Sequence, residues 1–154
     1  MSLISFKDIR QLLETYRAVN FKLVFTNGCF DLLHKGHIDL LSNAAGLGDK
    51  LFVGLNSDTS VKKLKGDSRP IQNERTRAQK LLELKYVNHV IIFEDLTPQK
   101  LIHAISPDVL VKGGDYKKSE IVGAKHVISS GGVVKIVPLT PGFSTTSIIE
   151  KSSN

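Results

Sequence analysis

The sequence predicts an α/β fold, a doubly wound and mostly parallel sheet of five strands with helices on both faces. Short, near-continuous apolar runs recur at Lys22–Thr26, Leu51–Asn56, Val87–Phe93, Asp108–Val111 and Val133–Leu139, the pattern of strands buried on both sides. Between them lie segments whose apolar residues return at helical spacing. Strict alternation of the two, without an internal repeat or a low-complexity linker, leaves a parallel sheet with crossover helices as the architecture. One domain spanning residues 1–154 is expected, with a helix in 1–20 packed on it.

The amino-terminal segment carries Phe6, Ile9, Leu12, Leu13 and Tyr16 between Ser5 and Val19, an amphipathic helix with Ser5 as its N-cap. Its apolar face belongs over the sheet or against a partner subunit. After the first strand, Ile38, Leu40, Leu41, Ala44 and Ala45 mark a helix that Gly48 is placed to stop. The stretch Thr59–Asn73 is polar and reads as a long loop at a strand's carboxyl edge, where long loops are more often functional than idle. Its Lys62, Lys63, Lys65 and Arg69 either close over a polyphosphate or form a solvated basic surface. Asn73–Tyr86 is a helix on Ala78, Leu81, Leu82 and Lys85. Arg75 and Arg77 in its first turns oppose the helix dipole, so another purpose is expected for them. Thr97-Pro98 opens a helix that runs to Ile105, and Ser119–Ser130 forms another, stopped by Gly131-Gly132.

At 154 residues, with 41% apolar residues, the chain is long enough to bury a core, of the order of 70% of its unfolded surface. The lone cysteine, Cys29, excludes an internal disulfide and fits a reducing compartment. It is either a small packed side chain or a reactive thiol. No apolar run is long enough to span a bilayer and the first residues do not read as a secretory signal, so a cytoplasmic protein is expected. The net charge of +6 admits nucleic acid as a partner. Acids interleave with the bases, however, and no nucleic-acid motif is present, so a polyphosphate ligand accounts for the surplus better.

The chemistry concentrates at Thr26–His37, T-N-G-C-F-D-L-L-H-K-G-H, between the first strand and the helix that follows. In an α/β sheet this is the carboxyl end of a strand, where ligands bind. A helix opening near Gly36 offers unpaired N–H groups and a positive dipole end to a phosphate, and Gly28 allows close backbone approach. His34 and His37, three residues apart, can face one ligand there. A bound phosphate would raise their pKa and favour the charged form. Further along, Lys112-Gly113-Gly114-Asp115-Tyr116 follows the fourth strand, its paired glycines suited to a base or a phosphate, and Gly142-Phe143-Ser144-Thr145-Thr146 follows the fifth. A G-x-G-x-x-G fingerprint is absent, against a dinucleotide-binding domain.

These motifs carry a resemblance. His34-Lys35-Gly36-His37 resembles the H-x-G-H signature of the cytidylyltransferase-like nucleotidyltransferases, which have a Rossmann-like sheet. Together with L-N-S-D, K-G-D-S-R-P, V-K-G-G-D-Y and G-F-S-T-T, it is similar over nearly the whole chain to the adenylyltransferase half of bifunctional heptose-phosphate enzymes. The resemblance implies transfer of AMP from ATP, with Mg²⁺, to D-glycero-β-D-manno-heptose 1-phosphate, releasing pyrophosphate and ADP-heptose for lipopolysaccharide. No sugar-kinase portion is read in this chain, so a stand-alone transferase and a homodimer are expected, with no nucleic-acid or membrane partner. By residue match, His34, His37 and Lys65 would be catalytic. Thr26, Asn27, Gly28, Phe30, Gly36, Arg77, Lys112, Gly113, Gly114, Asp115, Ser144, Thr145 and Thr146 would bind nucleotide. Asp31, Asn56, Asp58 and Arg69 are assigned to the acceptor, Asp31 with an equal claim to a structural role. No protein-held metal is expected.

Other classes compete. Glycerol-3-phosphate cytidylyltransferases share the H-x-G-H signature but carry R-T-E-G-I-S-T-T where this chain has Leu139-Thr140-Pro141-Gly142-Phe143-Ser144-Thr145-Thr146, a departure that favours ATP over CTP. A nucleotide sensor without chemistry would not need both histidines. The related histidine signature of class I aminoacyl-tRNA synthetases belongs to far longer chains with a K-M-S-K-S-like stretch, which is absent here.

Overall fold

Apolar runs that bury both faces must also pair every backbone group, and the sheet does both. A computed structural model describes residues 1–114 and 116–138. Its strands are β1 (Ser2–Leu3), β2 (Leu23–Gly28), β3 (Lys50–Asn56), β4 (His89–Phe93), β5 (Val109–Gly113) and β6 (Val133–Val137). They form one six-stranded sheet in the order β1-β4-β3-β2-β5-β6, with every pairing parallel. The helices are α1 (Ile9–Ala18), α2 (Lys35–Ala45), α3 (Asp58–Lys65), α4 (Glu74–Leu82), α5 (Gln99–Ile105) and α6 (Ala124–Ser129).

Successive strand residues divide between two cores, as the two-residue strand period requires. Leu23, Phe25, Phe52, Ile91 and Leu110 pack with Ile9 of α1, Leu101 and Ile102 of α5 and Val127 of α6. Val24, Leu51, Val53, Val90 and Val111 pack on the other face with Leu41 and Ala44 of α2 and Ala78 and Leu81 of α4. The fold is therefore the expected doubly wound α/β sheet. Strand order reverses at β2, whose neighbours are β3 and β5, so the ligand crevice belongs at the carboxyl ends of β2 and β5.

Five expectations are corrected. The sheet has six strands rather than five, because Ser2–Leu3 adds to the edge of β4, a segment too short to show a period. The stretch read as a loop from Thr59 contains α3. Ser57 Oγ accepts from the Ser60 N–H at 3.1 Å, Val61 is fully buried, and Lys62, Lys63 and Lys65 lie in the last turn, where cations suit the dipole. The helix expected over Ser119–Ser130 is split into a 3₁₀ turn at Lys118–Glu120 and α6. Gly123 stands between them at φ 84°, where a Cβ would lie 2.7 Å from Ile102 Cδ1. At the amino terminus the N-cap is Asp8, not Ser5, whose hydroxyl donates to the Asp8 carboxylate at 2.9 Å in the preceding turn. Gly46, not Gly48, caps α2. Leu139, the expected end of the fifth predicted strand, lies outside the described residues.

Of the α1 face left open to sheet or partner, the sheet takes most. Ile9 is buried, and Leu12, Leu13 and Tyr16 pack on the core, while Phe6 remains 51% exposed. Tyr16 also hydrogen-bonds His89 Nε2 at 2.7 Å, and Ser2 Oγ hydrogen-bonds His89 Nδ1 at 3.1 Å. His89 thus ties β1 and α1 to β4. Its burial, with the N-terminal amine and Lys50 nearby, pushes its pKa from 6.5 to about 4. Between those values the unfolded chain holds a proton that the native one lacks, so this contribution to stability is lost as pH falls from 6.5 to 4. Thermal melts across this interval should show Tm falling with pH, and His89→Gln should reduce that fall. An unchanged pH slope in the variant would refute the assignment.

Candidate active site

The β2–α2 junction sets the position of both histidines. His34 is the N-cap of α2, its Nδ1 accepting from the His37 N–H at 3.4 Å, which places the ring proton on Nε2. The two rings stack with centroids 3.7 Å apart, and Phe30 meets His37 edge-on at 5.1 Å. Phe30 has φ 45° and lies over Gly28, where a Cβ would come within 2.9 Å of its ring. Burial first, then the charges of His34 and Lys65, push the His37 pKa down to about 4, against a raising contact with the Leu32 backbone. Burial also lowers that of His34. At neutral pH both rings are uncharged, and His37 Nδ1 is buried without a hydrogen-bond partner.

Two buried charges hold the surrounding loops. Arg77 has no exposed surface. Its Nη1 donates to the carbonyls of Cys29 (2.8 Å) and Asn56 (2.7 Å), its Nε to that of Gln72 (2.9 Å), and its Nη2 to Asp58 Oδ1 (2.8 Å). Asp31, 1% exposed, accepts from the N–H groups of Ile71 (2.8 Å) and Gln72 (3.0 Å) and from Arg69 Nε (2.7 Å). Burial alone would raise the Asp31 pKa, but these hydrogen bonds and the Arg69 charge bring it below the ordinary carboxylate value.

A cleft of about 480 Å³ opens at the carboxyl ends of β2 to β5. Asn27, Gly28, Phe30 and His37 line it from the β2–α2 junction, Asn56 from the end of β3, Lys65 and Arg69 from α3 and the segment after it, and Lys112 from β5. Burial lowers the Lys112 pKa, and its ammonium stands 5.2 Å over the Tyr116 ring. Cys29 also faces the cleft; burial raises its thiol pKa against the pull of Lys65, Arg77 and Arg69.

Other expected site residues are placed elsewhere. Arg77, expected at a triphosphate, is turned inward and engaged by protein oxygens. Thr26 is buried and donates to the Val111 carbonyl at 2.9 Å, joining β2 to β5. Asp31 takes its structural role, and Asp58 pairs with Arg77. Gly36 is buried in the first turn of α2, and Gly114, at φ 115°, donates to the Val137 carbonyl at 3.0 Å. Gly113 ends β5, half-buried. Asp115, Ser144, Thr145 and Thr146 lie outside the described residues. Sequence reasoning missed the apolar wall of Leu64, Leu96, Pro98, Ile121 and Val122. The rule that ligands gather at carboxyl strand ends pointed to Leu96 and Pro98, just past β4; nothing local marked Ile121 and Val122.

A family model described as cytidylyltransferase-like matches residues 25–151. The chain belongs to this family. The bifunctional protein HldE of Koribacter versatilis (strain Ellin345) is 55% identical over 144 residues, 94% of this chain and 30% of that protein. Its counterpart in Rhodopseudomonas palustris (strain HaA2) is 54% identical over 145 residues. The chain spans about 30% of the length of these relatives. A solved family-like fold, the lipopolysaccharide core biosynthesis protein from Thermoplasma volcanium GSS1, superimposes with a TM-score of 0.65 at 28% identity, covering 79% of this chain and 98% of that one. Cytidylyltransferase-like membership thus agrees with the resemblance read from the motifs.

The placement of Arg77 has a measurable consequence. Arg77→Met would leave three backbone carbonyls without their donor, at a cost of about 3–5 kcal/mol, or very roughly 6–20 °C in Tm for a domain of this size. A variant melting with the parent would mean the guanidinium is not held as described.

Proposed function

We propose that this chain is a nucleotidyltransferase that transfers AMP from ATP to a sugar 1-phosphate, D-glycero-β-D-manno-heptose 1-phosphate, giving ADP-heptose and pyrophosphate. The observation that carries the reading is the cleft at the sheet's carboxyl edge, where His37, stacked on His34 at a helix start, faces Lys65, Arg69 and Lys112. The family and the HldE relatives support it.

An acceptor phosphate oxygen, already anionic, attacks the α-phosphorus; the bond from that phosphorus to the bridging oxygen breaks, and pyrophosphate leaves with its electron pair. No base need remove a proton from the nucleophile. The site has to hold two anions in line and stabilise the charge at the α-phosphorus. His34 and His37 do so as donors, and the arriving triphosphate restores the protons that burial withholds. Lys65 and Lys112 offset phosphate charge. Mg²⁺ would enter with the nucleotide substrate, where its charge would offset that of the phosphates. Among the described residues no helix is long and apolar enough to cross a membrane, and a cytoplasmic enzyme belongs to this reading.

His37→Ala should lower kcat about 10²–10³-fold with much less effect on ATP binding. His34→Ala should act similarly, and the double variant should lose less than the product of the two. Single-turnover kinetics beside a melting curve checks this; a folded His37→Ala protein with unchanged chemistry would sink the mechanism. Because Leu139 stands where cytidylyltransferases carry arginine, ATP should exceed CTP by more than about tenfold in kcat/KM, or roughly 1.4 kcal/mol. A pyrophosphate-release assay with both nucleotides decides, and equal use of CTP with glycerol 3-phosphate reverses the assignment. Homodimerisation is also part of the proposal, through exposed Phe6 and the groove it shares with Leu13, Ala104 and Ile105. Light scattering should give twice the chain mass at micromolar concentration; a monomer removes that contact.

A further inference from the structure

Arg77 and the largely buried Arg69 differ in one respect. Arg77 has each of its three nitrogens bonded to protein oxygens, so it has no need of a ligand. Arg69 has a side chain only 10% exposed and lines the cleft, yet among the described residues the one hydrogen bond of that side chain is Nε to Asp31 Oδ2 at 2.7 Å. Its Nη2 is buried without a partner. A buried donor in this state costs free energy until an acceptor arrives, and a guanidinium fork matches a phosphate's oxygens.

We propose that Arg69, aimed by Asp31, anchors the phosphate of the acceptor sugar 1-phosphate. The inference rests on the transferase reading and deepens it. Asp31 can position the guanidinium because it is itself fixed by the backbone of Ile71 and Gln72. Lys65 stands in the last turn of α3 and Arg69 in the segment after it, so the cleft holds two separate cations on this side. In-line displacement puts the attacking and leaving groups on opposite sides of the phosphorus, so each anion needs its own cation.

Calorimetric titration on the intact chain, saturated with α,β-methylene ATP, tests this without turnover. Heptose 1-phosphate is the probe, with inorganic phosphate as the minimal one. Arg69→Gln should weaken both about 10–100-fold while affinity for the ATP analogue stays within about twofold. Arg69→Lys should fall between, keeping the charge without the fork. Asp31→Asn is expected to weaken heptose 1-phosphate binding and leave analogue affinity unchanged. Unaltered sugar-phosphate affinity in Arg69→Gln overturns the proposal, as does an equal loss of analogue affinity or a parent protein that binds neither probe. If the parent binds them through Arg69 but releases no pyrophosphate from ATP and heptose 1-phosphate, the anchor stands and the transferase reading fails.

Discussion

The rest of the site depends on one buried guanidinium. Arg77 joins the β2–α2 junction through Cys29, the end of β3 through Asn56, the first turn of α3 through Asp58, and the segment before α4 through Gln72. Burying such a charge costs several kcal/mol unless geometry and hydrogen bonding are good, and three carbonyls and a carboxylate meet that condition here. Asp31 performs the complementary task with the opposite sign, gathering Arg69, Ile71 and Gln72. Between them the two charges fix the 66–73 segment at both sides. A cleft whose walls are already held loses less conformational freedom on binding than one assembled around its ligand.

Much of this was legible in the sequence because the determining physics is local. Apolar runs at Leu51–Asn56 and Val109–Val111 declare strands buried on both faces, and a histidine pair at a helix start declares itself by spacing. What was misread has non-local causes. Arg77 lacks a local reason to stand in the first turn of α4, since its acceptors at Cys29 and Asn56 are 48 and 21 residues away. Such a cation looks like a ligand contact until the fold supplies its partners. The lysine-rich stretch after Ser57 was read by its polarity, although Ser57 as a cap and Val61 as a buried anchor were both in view. Ile121 and Val122 could not be told from core residues, because an apolar side chain between two helical turns carries no mark of which cavity it faces.

The charge surplus divides along similar lines. Some cations form exposed pairs, Arg10 with Glu14 at 3.4 Å and Lys35 with Asp39 at 2.9 Å, which contribute little. Lys62 and Lys63 are exposed at the end of α3, where the helix dipole accounts for them. Lys65, Arg69 and Lys112 alone among the described lysines and arginines line the cleft. A basic overall balance is therefore only partly a statement about ligand; the informative cations are the few that the fold turns toward one volume.

The two residues of β1 have a consequence for the protein among its copies. Without them, β4 would be the outer strand, with apolar residues from Val90 to Phe93 and a row of unpaired peptide groups. An edge of that kind is a template for another chain's backbone. Ser2 N–H donates to the Asn88 carbonyl and Ile4 N–H to that of Val90, both at 2.9 Å, which occupies these acceptors. The strand that replaces β4 at the border is only two residues long, too short to recruit a neighbouring sheet. A segment with almost no core of its own thereby guards the sheet against edge-to-edge aggregation.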